Sequence, residues 1–209
     1  MSKHNIGITV KISLPEHLWD QFVSGDHSCF CNLFKGYYKA LYGYGLKLSN
    51  DSALVEDSVQ NLFITVWERR DDLKHITCPN VYLFVSLRRA ILKARRKKEK
   101  ESKGLKENAY QDFDIVFTEE ELIINRESKK QQIKELNKAL NLLSNQQKEV
   151  LYLHYYNGMS YGEIENILSI SRQSVRNHVY RAMEVLRTIL DKDIMKLVVS
   201  VLIVLLLPV

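Results

Sequence analysis

Between Arg172 and Arg181 the side chains able to hydrogen-bond a base edge or a phosphate are closely spaced: Arg172, Gln173, Ser174, Arg176, Asn177 and Arg181. Arginine can pair with two acceptors of guanine, and an amide with both edge groups of adenine. The same residue types also bind phosphate oxygens. Val175, Val179, Ala182 and Leu186 repeat at helical spacing in the same stretch. The segment therefore reads as a helix with one buried face. Before it, Ser160 and Glu163 have the S-x-x-E spacing of a capping box. That box opens a shorter helix with Ile164, Ile167 and Leu168 inward. Ser169-Ile170-Ser171 interrupts the pattern, and Ser171 can cap the second helix. A short helix, a tight turn and a second helix led by Arg, Gln and Asn make a helix-turn-helix signature, suited to a major groove. An ordinary helical hairpin with a polar face is the plainer alternative.

Two more clusters lie upstream. In 54–70, Val55, Val59, Leu62, Phe63 and Val66 share one side, and Glu56, Asp57, Gln60 and Asn61 lie opposite. That acidic and amide edge is either a solvated face or a docking surface for a basic partner. In 82–98, Arg88, Arg89, Lys93, Arg95, Arg96, Lys97 and Lys98 follow one another without an acid. The same helix carries Tyr82 and Phe84. Cations with aromatics are what hold unpaired bases, by phosphate contact and by stacking. Both aromatics could equally be core.

Positioning these clusters requires helices. Leu14-Pro15 precedes a short one with Leu18, Trp19 and Phe22 inward, ended by Gly25. Asp26 can cap the next, striped by Phe30, Leu33, Phe34, Tyr37, Leu41 and Tyr44. Asn50-Asp51-Ser52 and Pro79 open two more. From about Leu122 the pattern resumes with Ile133, Leu136, Leu140 and Leu143. Ser144 starts another helix through Val150, Leu151 and Leu153, closed by Asn157-Gly158. The fold class expected is all-α: two small helical domains joined by a charged linker, the C-terminal one a helix-turn-helix. The expected bounds are 14–98, a linker 99–128, a second domain 129–192 and an apolar tail 193–209. The linker is only weakly basic over 99–106, with three Lys and two Glu, and acidic over 107–121, so it either partly mimics a nucleic-acid strand in charge or is an exposed tether.

The chain has 209 residues and 45% hydrophobic residues, enough for one or two buried cores. A net charge of +5 favours a polyanionic partner. Three cysteines, an odd number, argue against a disulfide framework and for a reducing, cytoplasmic setting. Cys29, Cys31 and His27 are close in sequence, but no second ligand pair stands at a metal-binding spacing, so these cysteines are read as core and surface residues. The N-terminus has no secretory pattern. Leu197 to Leu207 is apolar except for Ser200. As a helix it would reach ~17 Å against ~30 Å of hydrocarbon. Packing on its own domain or on a partner is the expectation, with membrane contact the lesser alternative. No nucleophile, metal-ligand set or glycine-rich phosphate loop stands out. No enzyme activity and no cofactor are expected.

In this order the pieces resemble a bacterial sigma factor of the extracytoplasmic-function type, nearest to the iron-transport-like subgroup common in Bacteroidetes. The resemblance runs from about Trp19 to Leu190. LVEDSVQNLFITVWERR (54–70) is similar to the family's second region. By that resemblance Glu56, Asp57, Gln60 and Asn61 bind the β′ clamp of core RNA polymerase. YLFVSLRRAILKARRKK (82–98) is similar to the helix that opens and reads the minus-10 element, implying roles there for Tyr82, Arg88, Arg89, Lys93 and Arg96. Residues 140–187 are similar to the fourth region, which implies that Arg172, Gln173, Ser174, Arg176, Asn177 and Arg181 read the minus-35 element. Promoter DNA and core polymerase are the implied partners, with an anti-sigma factor as a further one. The chain departs from the family at Arg89, where Asn is usual, so Arg89 would favour a phosphate over a base. It departs again at Glu165, usually Ala, which is expected to tilt outward or pair with an Arg. Ser169 stands where Gly is common, and Ser144 where Pro is. The alternative to this reading is a helix-turn-helix regulator that acts without polymerase.

Overall fold

A computed structural model describes residues 17–101, 113 and 127–190. Among them every regular element is helical. In order these are α1 (His17–Val23), α2 (His27–Leu48), α3 (Ser52–Glu68), a 3₁₀ turn (Arg70–Leu73), α4 (Pro79–Glu101), α5 (Glu127–Asn141), α6 (Asn145–Leu151), a π turn (Tyr152–Tyr156), α7 (Tyr161–Leu168) and α8 (Arg172–Ile189). The chain divides into two compact units, the first drawn mainly from Ile12–Asp112 and the second starting at Phe113. The expected start at Leu14-Pro15, nearly all of the acidic stretch 107–121 and the apolar tail fall outside the described residues. No described helix is long and apolar enough to cross a membrane.

In the first unit the helix starts follow from local chemistry. Asp26 accepts from the Cys29 N–H at 3.1 Å and Asp51 from the Leu54 N–H at 3.0 Å. Each satisfies an orphan donor of a first turn. Those bonds hold the Asp26 carboxyl below its usual range. Asp51 is lowered first by the Lys98 ammonium beside it and then by the Leu54 amide. Leu41, Tyr44, Val55, Val59, Phe84, Leu87 and Ile91 are fully buried and join α2, α3 and α4 into one core. The helices approach closely at Gly45. A Cβ there would lie 2.6 Å from Val55 Cγ1 and 3.0 Å from Ile91 Cδ1.

Cys29 is buried with its thiol against Gln21 Oε1, and Cys31 is half-exposed. Phe84 belongs to the interior: it is 0% exposed, with its ring 5.3 Å from that of Tyr44. The Phe84, Leu87, Ile91 spacing is a buried stripe, so Phe84 is removed from the stacking candidates.

In the second unit Ser144 and Ser160 each close a full capping box, with Gln147 and Glu163 returning to the cap N–H at 2.8 Å. The helix expected to run on through Leu153 instead widens after Leu151 into a π turn, closed by Asn157 N–H to Tyr152 O. Gly158, at φ 67°, then lets the Met159 N–H return to Leu153 O at 3.0 Å. This is a glycine-based stop. His154 Nδ1 lies 2.7 Å from the Met159 carbonyl, and burial lowers the His154 pKa. Phe113 is buried in this unit, its ring 5.8 Å from that of Tyr152 and its N–H donating to Asn145 Oδ1.

The turn between α7 and α8 carries local strain. Ser169 caps α7 in the left-handed region, at φ 55° and ψ 43°. An L residue is penalised there by ~1–2 kcal/mol. Glycine avoids that penalty but loses more chain entropy, ~0.5–1 kcal/mol. Ser169→Gly should therefore stabilise the protein by ~0.5–1 kcal/mol, read as a higher urea midpoint at unchanged slope. A lower midpoint would refute the strain.

Candidate nucleic-acid interface

α8 presents the first cluster. Val175, Val179, Ala182 and Leu186 are buried, as their spacing predicts. Arg172, Gln173, Arg176, Asn177 and Arg181 are all exposed. Ser171 caps the helix by accepting from the Ser174 N–H at 3.2 Å. The Ser174 hydroxyl lies 2.9 Å from that of Ser171, so it is half-buried in the cap rather than free on the surface. Gln173 Nε2 donates to Asn177 Oδ1 at 3.0 Å, which holds the two amides together as one unit. Burial, and after it Arg181, lowers the pKa of His178, so the positive charge of this face comes from its arginines.

Beneath α8, Ile164 and Ile167 of α7 are buried, but Leu168 is half-exposed rather than inward. Glu165 is half-exposed too, which spares it the cost of a buried unpaired carboxylate.

The acidic and amide face of α3 is as its spacing requires. Glu56, Asp57, Gln60 and Asn61 are exposed opposite the buried Val55, Val59, Leu62, Phe63 and Val66. Gln60 Nε2 donates to Glu56 Oε1 at 3.4 Å. Sequence reading missed Ile64, which is 53% exposed. It stands four residues after Gln60 and seven after Asp57, so it shares their face. One exposed apolar residue is ordinary on a protein surface, so Ile64 is notable for the face it shares rather than for its exposure.

The basic run on α4 divides. Arg95 donates to the Leu48 carbonyl, and Lys98 Nζ pairs with Asp51 Oδ2 at 2.5 Å. Those two hold α4 to the end of α2 and the start of α3. Arg89, Lys93, Arg96 and Lys97 are exposed, and Arg88 is half-exposed. Tyr82 is half-exposed, its ring centre 6.4 Å from that of Trp19 in an edge-to-face arrangement. Tyr82, Lys93 and Arg96 line one open groove of about 900 Å³ between α3 and α4; Arg88 and Arg89 do not. Asn61 lines that groove as well, and Glu56, Asp57 and Gln60 do not. The four α3 residues grouped by sequence are thereby split.

Comparison with known proteins bears on both units. Residues 33–101 match the family model Sigma-70 region 2, and residues 133–186 match Sigma-70, region 4. The chain is similar to the solved structure of CnrH in complex with the cytosolic domain of CnrY, at 21% identity and a TM-score of 0.55 over 85% of this chain and 97% of that one. It is also similar to the sigma factor RpoE, solved with the anti-sigma factor NepR from Bartonella quintana. There the identity is 22% and the TM-score 0.58, over 78% of this chain and 98% of that one. Both likenesses concern the fold. No curated protein matches the sequence. Two models of a single family, met in numerical order and together spanning more than half of the residues, settle the affiliation: the protein belongs to the sigma-70 family, as a sigma factor that directs promoter recognition.

Proposed function

We propose that this sigma factor is of the extracytoplasmic-function type and of its iron-transport-like subgroup, and acts in the cytoplasm. It binds core RNA polymerase through Glu56, Asp57, Gln60 and Ile64 on the outer face of α3. The α4 side chains Tyr82, Arg88, Arg89, Lys93 and Arg96 grip the minus-10 element as it opens. Arg172, Gln173, Arg176, Asn177 and Arg181 meet the minus-35 duplex. The observation that carries the reading is the division of exposed polar groups: a basic and amide face on α8, a basic face on α4 and an acidic face on α3. Opening is then driven by binding, with no catalytic residue. Base stacking contributes ~1–3 kcal/mol per base, enough to hold a base out of its pair. The likeness to folds solved with an anti-sigma factor and with the cytosolic domain of CnrY supports an anti-sigma partner here.

The test is transcription in vitro with core polymerase on a genomic library. Discrete start sites that depend on the protein support the proposal, and start sites as scattered as with core alone refute it. Within that assay, Arg176→Ala should lose ~1–3 kcal/mol at one upstream base pair if the contact is bidentate. An equal loss on every sequence would make Arg176 a phosphate contact instead.

A further inference from the structure

One imidazole holds the turn that leads into α7. His154 Nδ1 lies 2.7 Å from the Met159 carbonyl oxygen. A carbonyl only accepts, so Nδ1 carries the proton of the neutral ring and Nε2 keeps its lone pair. The Met159 N–H donates to Leu153 O at 3.0 Å. Both backbone polar groups of Met159 are thus tied to the segment that winds as the π turn, and single π turns frequently stand at functional positions. The next residue starts α7: Ser160 accepts from the Glu163 N–H at 3.3 Å and donates its own N–H to Glu163 Oε2 at 2.8 Å. From α7 the chain enters α8 through Ser169 and the Ser171 cap. The entry to the helix-turn-helix is therefore pinned at its first residue by the His154 bond.

The imidazole sits between phenol rings. Its centre is 4.6 Å from that of Tyr155 and 4.7 Å from that of Tyr161, at the start of α7. Arg187 of α8 acts on Tyr155 in turn. Burial, and then Tyr161, raises the Tyr155 pKa, so that phenol stays uncharged around neutrality. Burial lowers the His154 pKa, and the bond to Met159 offsets this in part. Since the folded value lies below the ordinary value of about 6.5, the neutral ring contributes stability in full above about pH 6.5. That contribution is lost as pH falls through the folded value. A proton on Nε2 places a charge in a half-buried seat. Turning the ring out to water relieves that cost and takes Nδ1 away from Met159.

We propose that His154 is a positioning residue for promoter reading: its Nδ1–H bond fixes where α7 begins and so how α8 is presented, and protonation of the ring releases both. The inference rests on the minus-35 role proposed for α8. His154 touches no DNA in this account. Its effect passes through Met159 and the Ser160 cap, which makes selection of the upstream element weaker in acid.

Two measurements test it. In the full chain, nitrogen NMR of the imidazoles identifies His154 by the signals lost in His154→Asn. The expected ring is protonated at Nδ1 at pH 7.5 and titrates below pH 6.5. A ring protonated at Nε2, or one that titrates at or above 6.5, overturns the inference. The second measurement uses holoenzyme reconstituted from core polymerase and the full chain. Selectivity is the ratio of its affinities for a promoter duplex and for the same duplex with a scrambled minus-35 element, at pH 7.5 and pH 5.8. The wild-type ratio should fall several-fold in acid. His154→Asn keeps an N–H near the Nδ1 position with nothing to titrate, and should hold its ratio at both pH values. His154→Phe keeps a ring without a donor, and should be low at both. His178 is present in all three proteins, so it cannot produce the difference. If His154→Asn loses selectivity in acid as the wild type does, or His154→Phe matches the wild type at pH 7.5, the inference fails and the α8 role stands. A wild-type ratio of one at pH 7.5 overturns both.

Discussion

Phe84→Ala is expected to destabilise the first unit by ~3–5 kcal/mol, the range for removing a buried aromatic ring. The ring is 0% exposed, faces Tyr44 at 5.3 Å and sits in one layer with Leu87 and Ile91, which are equally buried. The hole would be surrounded by helices already in contact at Gly45, so little collapse can offset it. Chemical denaturation followed by circular dichroism measures the loss. Tyr82→Ala is the contrast: its ring is half-exposed, so stability should fall less while binding of an unpaired strand falls by ~1–3 kcal/mol per stacked base. If Phe84→Ala costs under ~1 kcal/mol and abolishes strand binding, the assignment of the two rings is reversed.

Asp57→Arg is expected to weaken core polymerase binding by at least tenfold, that is ~1.4 kcal/mol or more. Juxtaposed like charges at an interface cost several kcal/mol, so a reversal exceeds a neutral truncation. Asp57 is exposed and makes no ion pair among the described residues. The melting temperature should therefore stay within a degree or two. Binding is read by titrating labelled protein with core enzyme, and stability by a thermal melt of the same sample. Unchanged affinity would remove Asp57 from the interface. Loss of affinity together with a much lower melting temperature would show only that α3 is damaged.

The helix starts were readable because a cap is a short-range signal: Asp26, Asp51, Ser144, Ser160 and Ser171 each serve a donor within three residues. The buried side of α8 was readable for the same reason. The family followed from the order of the pieces. What stayed hidden depends on contacts between distant segments. Nothing local distinguishes Arg95 and Lys98, tied to Leu48 and Asp51, from Arg96, which faces the groove. The division of Asn61 from Gln60 likewise needs α4 beside α3. The π turn needs the chain to insert one residue into a winding whose sequence, YLHYY, is compatible with an ordinary helix. Phe113 reads as one aromatic in a charged stretch, and only its seat beside Tyr152 shows that it is anchored.

Asp51 holds both a first-turn amide of α3 and the ammonium near the end of α4. One carboxylate thus joins the start of the helix proposed to seize the enzyme to the end of the helix proposed to seize the opened strand. A single substitution at Asp51 therefore alters both helix ends together.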